Sequence, residues 1–191
     1  RSTVLIVTPE GQAGSGVILI ARKDSPVIIL TANHVIQGTS GPVLVLFHGI
    51  DNKLVMFASH FLEDKDKDLA ILQTDKLWNR DEELITEIDG SILPRGTPVI
   101  AIGYPKGIGP MITDGIIGDR REISSSINTM GYIVTTAIYF GNSGGGIWYK
   151  GKLAGIIVAF LAAGDSDTIV IPQPGGSIAV DGQTVMRFLT Q

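Results

Sequence analysis

The sequence contains no cysteine. That absence excludes disulfide staples and thiolate-bound zinc, and it leaves the redox compartment open, because a cysteine-free chain works equally in reducing and oxidising surroundings. Clustered positive charge is missing too: the formal net charge is -4, with 15 Lys and Arg scattered among 19 Asp and Glu. Nothing supplies the focused positive field that nucleic-acid phosphates or anionic lipids require, so no nucleic-acid partner is expected. Long apolar runs are also lacking. The longest, Leu153 to Ala163, is about half of the ~20 residues a membrane-spanning helix needs and carries Gly155, which fits a buried strand and argues against membrane insertion. The chain starts at Arg1 with neither an initiator Met nor a signal-like apolar segment, so it reads as an excised or processed domain whose targeting information lies outside it.

What the chain does have is enough length, 191 residues, for one large all-β domain or two small barrels. Short runs rich in Val, Ile and Leu recur between Gly, Pro, Asn or Asp: Val4 to Val7, Gly16 to Ala21, Val27 to Leu30, Val43 to Phe47, Leu54 to Leu62 and Leu69 to Gln73. After a polar interval from Thr74 to Arg95 the pattern resumes at Val99 to Ile102, Ile112 to Gly118, Tyr132 to Thr136, Gly145 to Tyr149, Leu153 to Phe160, Thr168 to Ile171 and Ser177 to Val180. Two groups of about six strands predict an all-β fold of two six-stranded antiparallel β-barrels, closure being how such sheets remove their edges; a single large sandwich competes. The predicted boundaries are residues 1–80 for the first barrel, 81–97 for a linker and 98–191 for the second barrel. At the end the period changes: Asp181 is placed to cap a short C-terminal helix whose Val185, Phe188 and Leu189 fall on one face.

The sharpest chemical feature is Gly141-Asn142-Ser143-Gly144-Gly145, a serine in a glycine-rich turn between two strand-like runs. Glycines there allow positive φ and close approach of a substrate carbonyl, so the amides of Gly141 and Ser143 can point together at a developing oxyanion. The same string also fits a plain loop. A serine hydroxyl needs a base within reach. Of His34, His48 and His60, only His34 stands where an apolar strand ends in a short polar turn, which fixes the ring while leaving one edge exposed. His48 beside Gly49 and His60 in mid-strand read as surface or packing residues. The imidazole in turn needs a carboxylate. In the alternating run Glu63 to Asp68 only Asp68 abuts an apolar strand, while Asp64 and Asp66 read as solvated charge. The alternation mimics a calcium loop, but Leu69 stands where glycine is needed and Asp75 where glutamate is expected, so no metal is predicted.

Together, His34 in Thr-Ala-Asn-His-Val, Asp68 in Asp-Leu-Ala-Ile-Leu and Ser143 in Gly-Asn-Ser-Gly-Gly resemble the His, Asp, Ser order of the trypsin-like superfamily. Gly14-Ser15-Gly16-Val17-Ile18, Ala101-Ile102-Gly103-Tyr104-Pro105, Thr113-Asp114-Gly115-Ile116-Ile117 and Thr135-Thr136-Ala137-Ile138 resemble the protease domain of the HtrA/Deg family in particular. The resemblance implies a chymotrypsin-like double barrel and a serine endopeptidase without cofactors. His34 and Asp68 would come from the first barrel, Ser143 and the oxyanion amides of Gly141 and Ser143 from the second. It further implies polypeptide substrates, a homo-oligomer as a further partner, and a bacterial cell-envelope or secreted location; no PDZ domain follows within the chain. Gly146 departs from the proline of many relatives, and the stretch before Ser143 is one residue short of the usual pattern. Asn142 lacks the charge that digestive relatives use for activation by a new amino terminus, so competence would be constitutive or set by loop ordering.

The substrate pocket that the resemblance implies is walled by Ala137, Ile138, Tyr139, Phe140, Val158, Ala159 and Phe160, none of them charged. A Lys or Arg side chain would be buried there without a partner, so cleavage after small or medium aliphatic residues is expected. Two rival readings keep the fold: a viral or phage protease that processes a polyprotein, and a catalytically silent double barrel that binds peptides.

Overall fold

The computed structural model describes residues 2–48, 54–123, 129–163 and 171–191, of which 160–163 and 171–175 are described by their backbone alone. The apolar runs of the first half form β1 (Thr3–Val7), β2 (Ala13–Ala21), β3 (Pro26–Ala32), β4 (Val43–Leu46), β5 (Val55–Asp64) and β6 (Leu69–Leu77). These pair antiparallel in the order β1-β4-β5-β6-β3-β2, and β1 pairs again with β2 to close the barrel. In β2, residues from Gly14 to Leu19 are buried without alternation. One face of that strand fills the barrel, where Gly16 meets Ile6 and Ile29, and the other meets the second half of the chain. A strand covered on both faces has no reason to alternate.

The second half forms β8 (Pro98–Gly103), β9 (Met111–Ile123), β10 (Thr129–Val134), β11 (Gly146–Tyr149), β12 (Lys152–Ala163) and β13 (Ile171–Asp181), closed in the order β10-β13-β12-β11-β8-β9. The chain is therefore two closed six-stranded antiparallel barrels. One strand expectation needs correcting. Ile171 and Ser177 to Val180 lie on one strand, β13, rather than on two, and residues 168–170 lie outside the described residues. Pro172, Pro174, Gly175 and Gly176 interrupt the apolar pattern, yet the strand continues beside β12 across shifts in register.

The polar interval between the barrels is packed. In it β6 runs on to Leu77, Trp78 is fully buried, and β7 (Leu84–Ile85) pairs with β2. Ile88 then bridges to Leu153 of β12. The larger apolar core crosses from one barrel to the other, joining Val4, Ile29 and Leu72 to Leu153, Ile156, Val180 and Phe188. The terminal helix α2 (Gly182–Leu189) starts at Asp181, whose carboxylate accepts from Thr184 N–H at 2.8 Å. Val185 and Phe188 are buried as expected. Leu189 is not; it stays exposed because α2 turns only a narrow face toward the core.

Candidate active site

His34 lies on a single helical turn, α1 (Asn33–Ile36), that ends β3. Ala32, which precedes the turn, has no side-chain oxygen to satisfy the first amides. Asp68, immediately before β6, serves instead: its backbone carbonyl accepts from Asn33 N–H (3.0 Å) and its Oδ1 from His34 N–H (2.8 Å). The other carboxylate oxygen, Oδ2, lies 2.6 Å from His34 Nδ1. The pairing assigns the proton to Nδ1 and leaves Nε2 as an acceptor on the open edge of the ring. The Asp68 side chain is 8% exposed and that of His34 42%, so the carboxylate is shielded while the imidazole is reachable. Asp68 also takes positive φ (52°), a conformation in which aspartate is among the more tolerated residues.

The other two histidines sit apart. His48 packs its ring at 5.5 Å from that of Tyr104, and His60 on β5 lies 3.7 Å from Glu63. Asp64 pairs with Lys67, and Asp66 is exposed.

Ser143 stands in the connection between β10 and β11, pressed against the first barrel. Ser15 N–H on β2 donates to its carbonyl at 2.7 Å. Next to it, Gly144 has φ +83°, and a Cβ there would collide with Ser15 O and Thr31 Oγ1. Thr31 is three residues before His34, so this close approach brings the serine turn against the end of the strand that leads into the histidine turn. No hydrogen bond joins the Ser143 hydroxyl to His34 among the described residues.

The amides of this turn alternate. Asn142 N–H donates to Tyr139 O (3.0 Å), Gly144 N–H to Ile157 O (2.7 Å) and Gly145 N–H to Asn142 O (2.9 Å), whereas Gly141 N–H and Ser143 N–H have no acceptor among the described residues. Two unengaged amides two residues apart can bind one anionic oxygen.

The residues expected to wall a substrate pocket fall around two clefts. Val158 and Ala159 line one of about 400 Å³ with Asn33, His34, Gln37, Lys65 and Asp68. Ala137, Ile138 and Tyr139 line another of about 650 Å³ with residues that include Ile108, Pro110, Met111 and Lys106. Tyr139 and Phe140, both exposed, meet edge to face at 5.4 Å. The Phe160 side chain lies outside the described residues.

Two contributors escaped the reading of the sequence. Ser15 bonds to both Gly141 and Ser143, and the signal for it was its place between two glycines in a strand, a pattern that marks close backbone approach. The 3-10 turn Pro105–Gly107 after β8 is the second; its Lys106 N–H donates to Phe140 O at 2.8 Å. Beside it, Tyr104 is fully buried, which pushes its phenol up to about 12.

The family model described as the trypsin-like peptidase domain matches residues 14–156. Among curated proteins the chain is similar to Serine protease Do-like HtrA of Bacillus subtilis, with 31% identity over 182 residues, 88% of this chain and 38% of that protein. It is similar to Protease Do-like 1, chloroplastic, of Arabidopsis thaliana, with 34% identity over 185 residues, 93% of this chain and 38% of that protein. It is also similar to Periplasmic serine endoprotease DegP of Salmonella typhimurium, with 32% identity over 154 residues, 78% of this chain and 30% of that protein. The chain thus spans less than half the length of these relatives. Among solved structures the fold is similar to HtrA-type protease AlgW with tripeptide, at a TM-score of 0.79 and 24% identity over 99% of this chain and 59% of that one. It is likewise similar to an inactive form of Rv3671c protease, at a TM-score of 0.77 and 19% identity over 99% of this chain and 87% of that one.

Proposed function

As the chain belongs to the trypsin-like peptidase domain family, and within it to the Deg/HtrA serine proteases, we propose that it is a serine endopeptidase with Ser143 as nucleophile, His34 as general base and Asp68 orienting the base. The observation that carries this reading is the shielded His34–Asp68 pair, together with a serine turn whose two alternate amides are unengaged.

Ser143 Oγ attacks the scissile carbonyl carbon while His34 Nε2 takes its proton, and the carbonyl electrons move onto the oxygen, which the amides of Gly141 and Ser143 receive. Collapse of this intermediate breaks the C–N bond, and His34 hands the proton to the leaving amine. Water, deprotonated by the same imidazole, then hydrolyses the acyl ester and restores Ser143. Asp68 stays ionised throughout and stabilises the imidazolium. Hydrogen bonds between nucleophile and base often form only once substrate is bound, so the open contact between Ser143 and His34 agrees with the assignment. All the steps run on side chains and backbone amides, so turnover should survive a chelator.

The substrates are polypeptides, cleaved after small or medium aliphatic residues, a preference that the apolar Ala137, Ile138 and Val158 support. The envelope or secreted location is proposed on a relative named periplasmic.

A fluorophosphonate probe tests the core of the reading. The wild-type protein should be labelled and should hydrolyse unfolded polypeptide, while Ser143→Ala should take no label and lose turnover by about 10⁶. A folded wild-type sample that takes no label and cleaves nothing would sink the proposal in favour of a silent peptide-binding barrel.

A further inference from the structure

The backbone of the serine turn is held peptide by peptide. In a trans peptide unit the C=O and N–H point in opposite directions, so whatever holds the carbonyl aims the amide. Lys106 N–H holds Phe140 O at 2.8 Å and thereby aims Gly141 N–H; Gly145 N–H holds Asn142 O at 2.9 Å and aims Ser143 N–H. Between these lies the Gly141–Asn142 peptide. Its N–H goes to Tyr139 O, and its C=O receives the hydroxyl of Ser15 at 2.7 Å.

Ser15 reaches this carbonyl from the other barrel, 126 residues away in sequence. It is fully buried, and every polar atom it has is engaged. Its Oγ accepts from Tyr104 N–H at 2.8 Å, which leaves the hydroxyl proton for Gly141 O. Its N–H donates to Ser143 O at 2.7 Å, and its carbonyl accepts from Thr31 Oγ1 at 2.7 Å. Among these anchors, the amides of Lys106 and Gly145, the carbonyl of Tyr139 and the hydroxyl of Ser15, Ser15 supplies the side chain. It acts at Gly141, where φ is +96° and no Cβ resists a turn of the neighbouring peptide.

We propose that Ser15 is a positioning residue for the oxyanion site: its hydroxyl locks the Gly141–Asn142 peptide so that the amides of Gly141 and Ser143 converge. The proposal rests on the serine endopeptidase reading above. Without the hydroxyl the central peptide turns over in part of the population, and transition-state stabilisation is lost while the cleft walls that bind substrate are untouched.

The test compares wild type with Ser15→Ala and with Ser15→Cys, which keeps nearly the same size and a weaker donor. Turnover is counted per site titrated with an acylating reagent, so that a fall in the folded fraction does not register. In Ser15→Ala, kcat should fall about 10- to 100-fold, less than the 10²–10³ lost when an oxyanion donor is deleted outright. KM should stay within about twofold, and Ser15→Cys should lie between Ser15→Ala and wild type. Affinity for a peptide aldehyde, which forms a tetrahedral adduct on Ser143, should drop by the same factor as kcat. A kcat per titrated site within twofold of wild type in both variants, or a rise in KM at constant kcat, overturns the role of Ser15 alone. Should Ser15→Ala fail to fold, Ser15→Cys decides by the same criterion. A wild-type protein that neither cleaves nor titrates overturns this role and the endopeptidase reading together.

Discussion

At position 68 one carboxylate holds both an imidazole and a helix start, because Asp68 Oδ2 meets His34 Nδ1 while Oδ1 and the backbone carbonyl take the first amides of α1. Substitutions there should therefore damage activity and stability together. We expect Asp68→Ala to lower turnover by about 10⁴ and His34→Ala by about 10⁶. Asp68→Ala alone should also lose about 1–2 kcal/mol of stability through the missing cap. Steady-state kinetics beside urea melts would separate the two effects; equal melts for the two variants would contradict the capping role. A second carboxylate makes a prediction about pH. Arg121 and Arg95 hold Asp119 down to about 2 through their guanidinium hydrogen bonds, both Nε contacts lying within 2.9 Å. A depressed carboxylate stabilises the fold above its unfolded value near 4 and loses that contribution as pH falls toward 2. The melting-temperature gap between wild type and Asp119→Asn should thus be full at pH 6 and shrink between about pH 4 and 2. A gap that stays constant over that range would exclude the linkage.

Among the elements, α2 depends on the residue that caps it. Asp181 is fully buried, caps Thr184 N–H, and takes Arg120 Nε at 2.8 Å and Arg120 Nη2 at 2.7 Å. The helix is thereby tied to β9, on which Arg120 lies, and Phe188 is pressed into the core shared by the barrels. Removing one partner from a buried pair leaves the other charge uncompensated, at about 3–5 kcal/mol. Asp181→Ala should cost that much in chemical denaturation, and Asp181→Asn, which keeps an acceptor for the cap, should cost less. Equal losses from the two would mean that the cap and the ion pair are not separable as argued. Lys23 and Asp81, an exposed pair, should contribute no more than about 1 kcal/mol.

For the whole molecule the remaining prediction concerns what is cleaved. Among the described residues Lys106 is the one charged residue lining the cleft beside Ala137 and Ile138, its ammonium 4.9 Å from the centre of the Tyr139 ring. A basic side chain would meet that like charge among apolar walls, while each methylene of an aliphatic one gains about 1–3 kcal/mol. A peptide-library digest should show graded preference for Ala, Val, Ile and Leu at the cleaved position, and dominant cleavage after Lys, Arg, Asp or Glu would refute the pocket assignment. The sequence by itself determined an all-β chain in two groups of strands and a capped terminal helix, because short apolar runs, turn residues and a change of period are local properties of the chain, while the choice of two barrels over one sandwich came from the resemblance of its motifs. It also singled out His34 where an apolar strand ends, Asp68 where one begins, and Ser143 in its glycine-rich turn. Tertiary structure alone decided what lies across the barrel boundary: that β7 and Trp78 turn a polar interval into packed structure, that β13 runs unbroken past two prolines, and that Ser15 reaches Gly141 from the opposite barrel. Those contacts join residues far apart in the chain, and no local periodicity carries the distance at which two closed sheets meet.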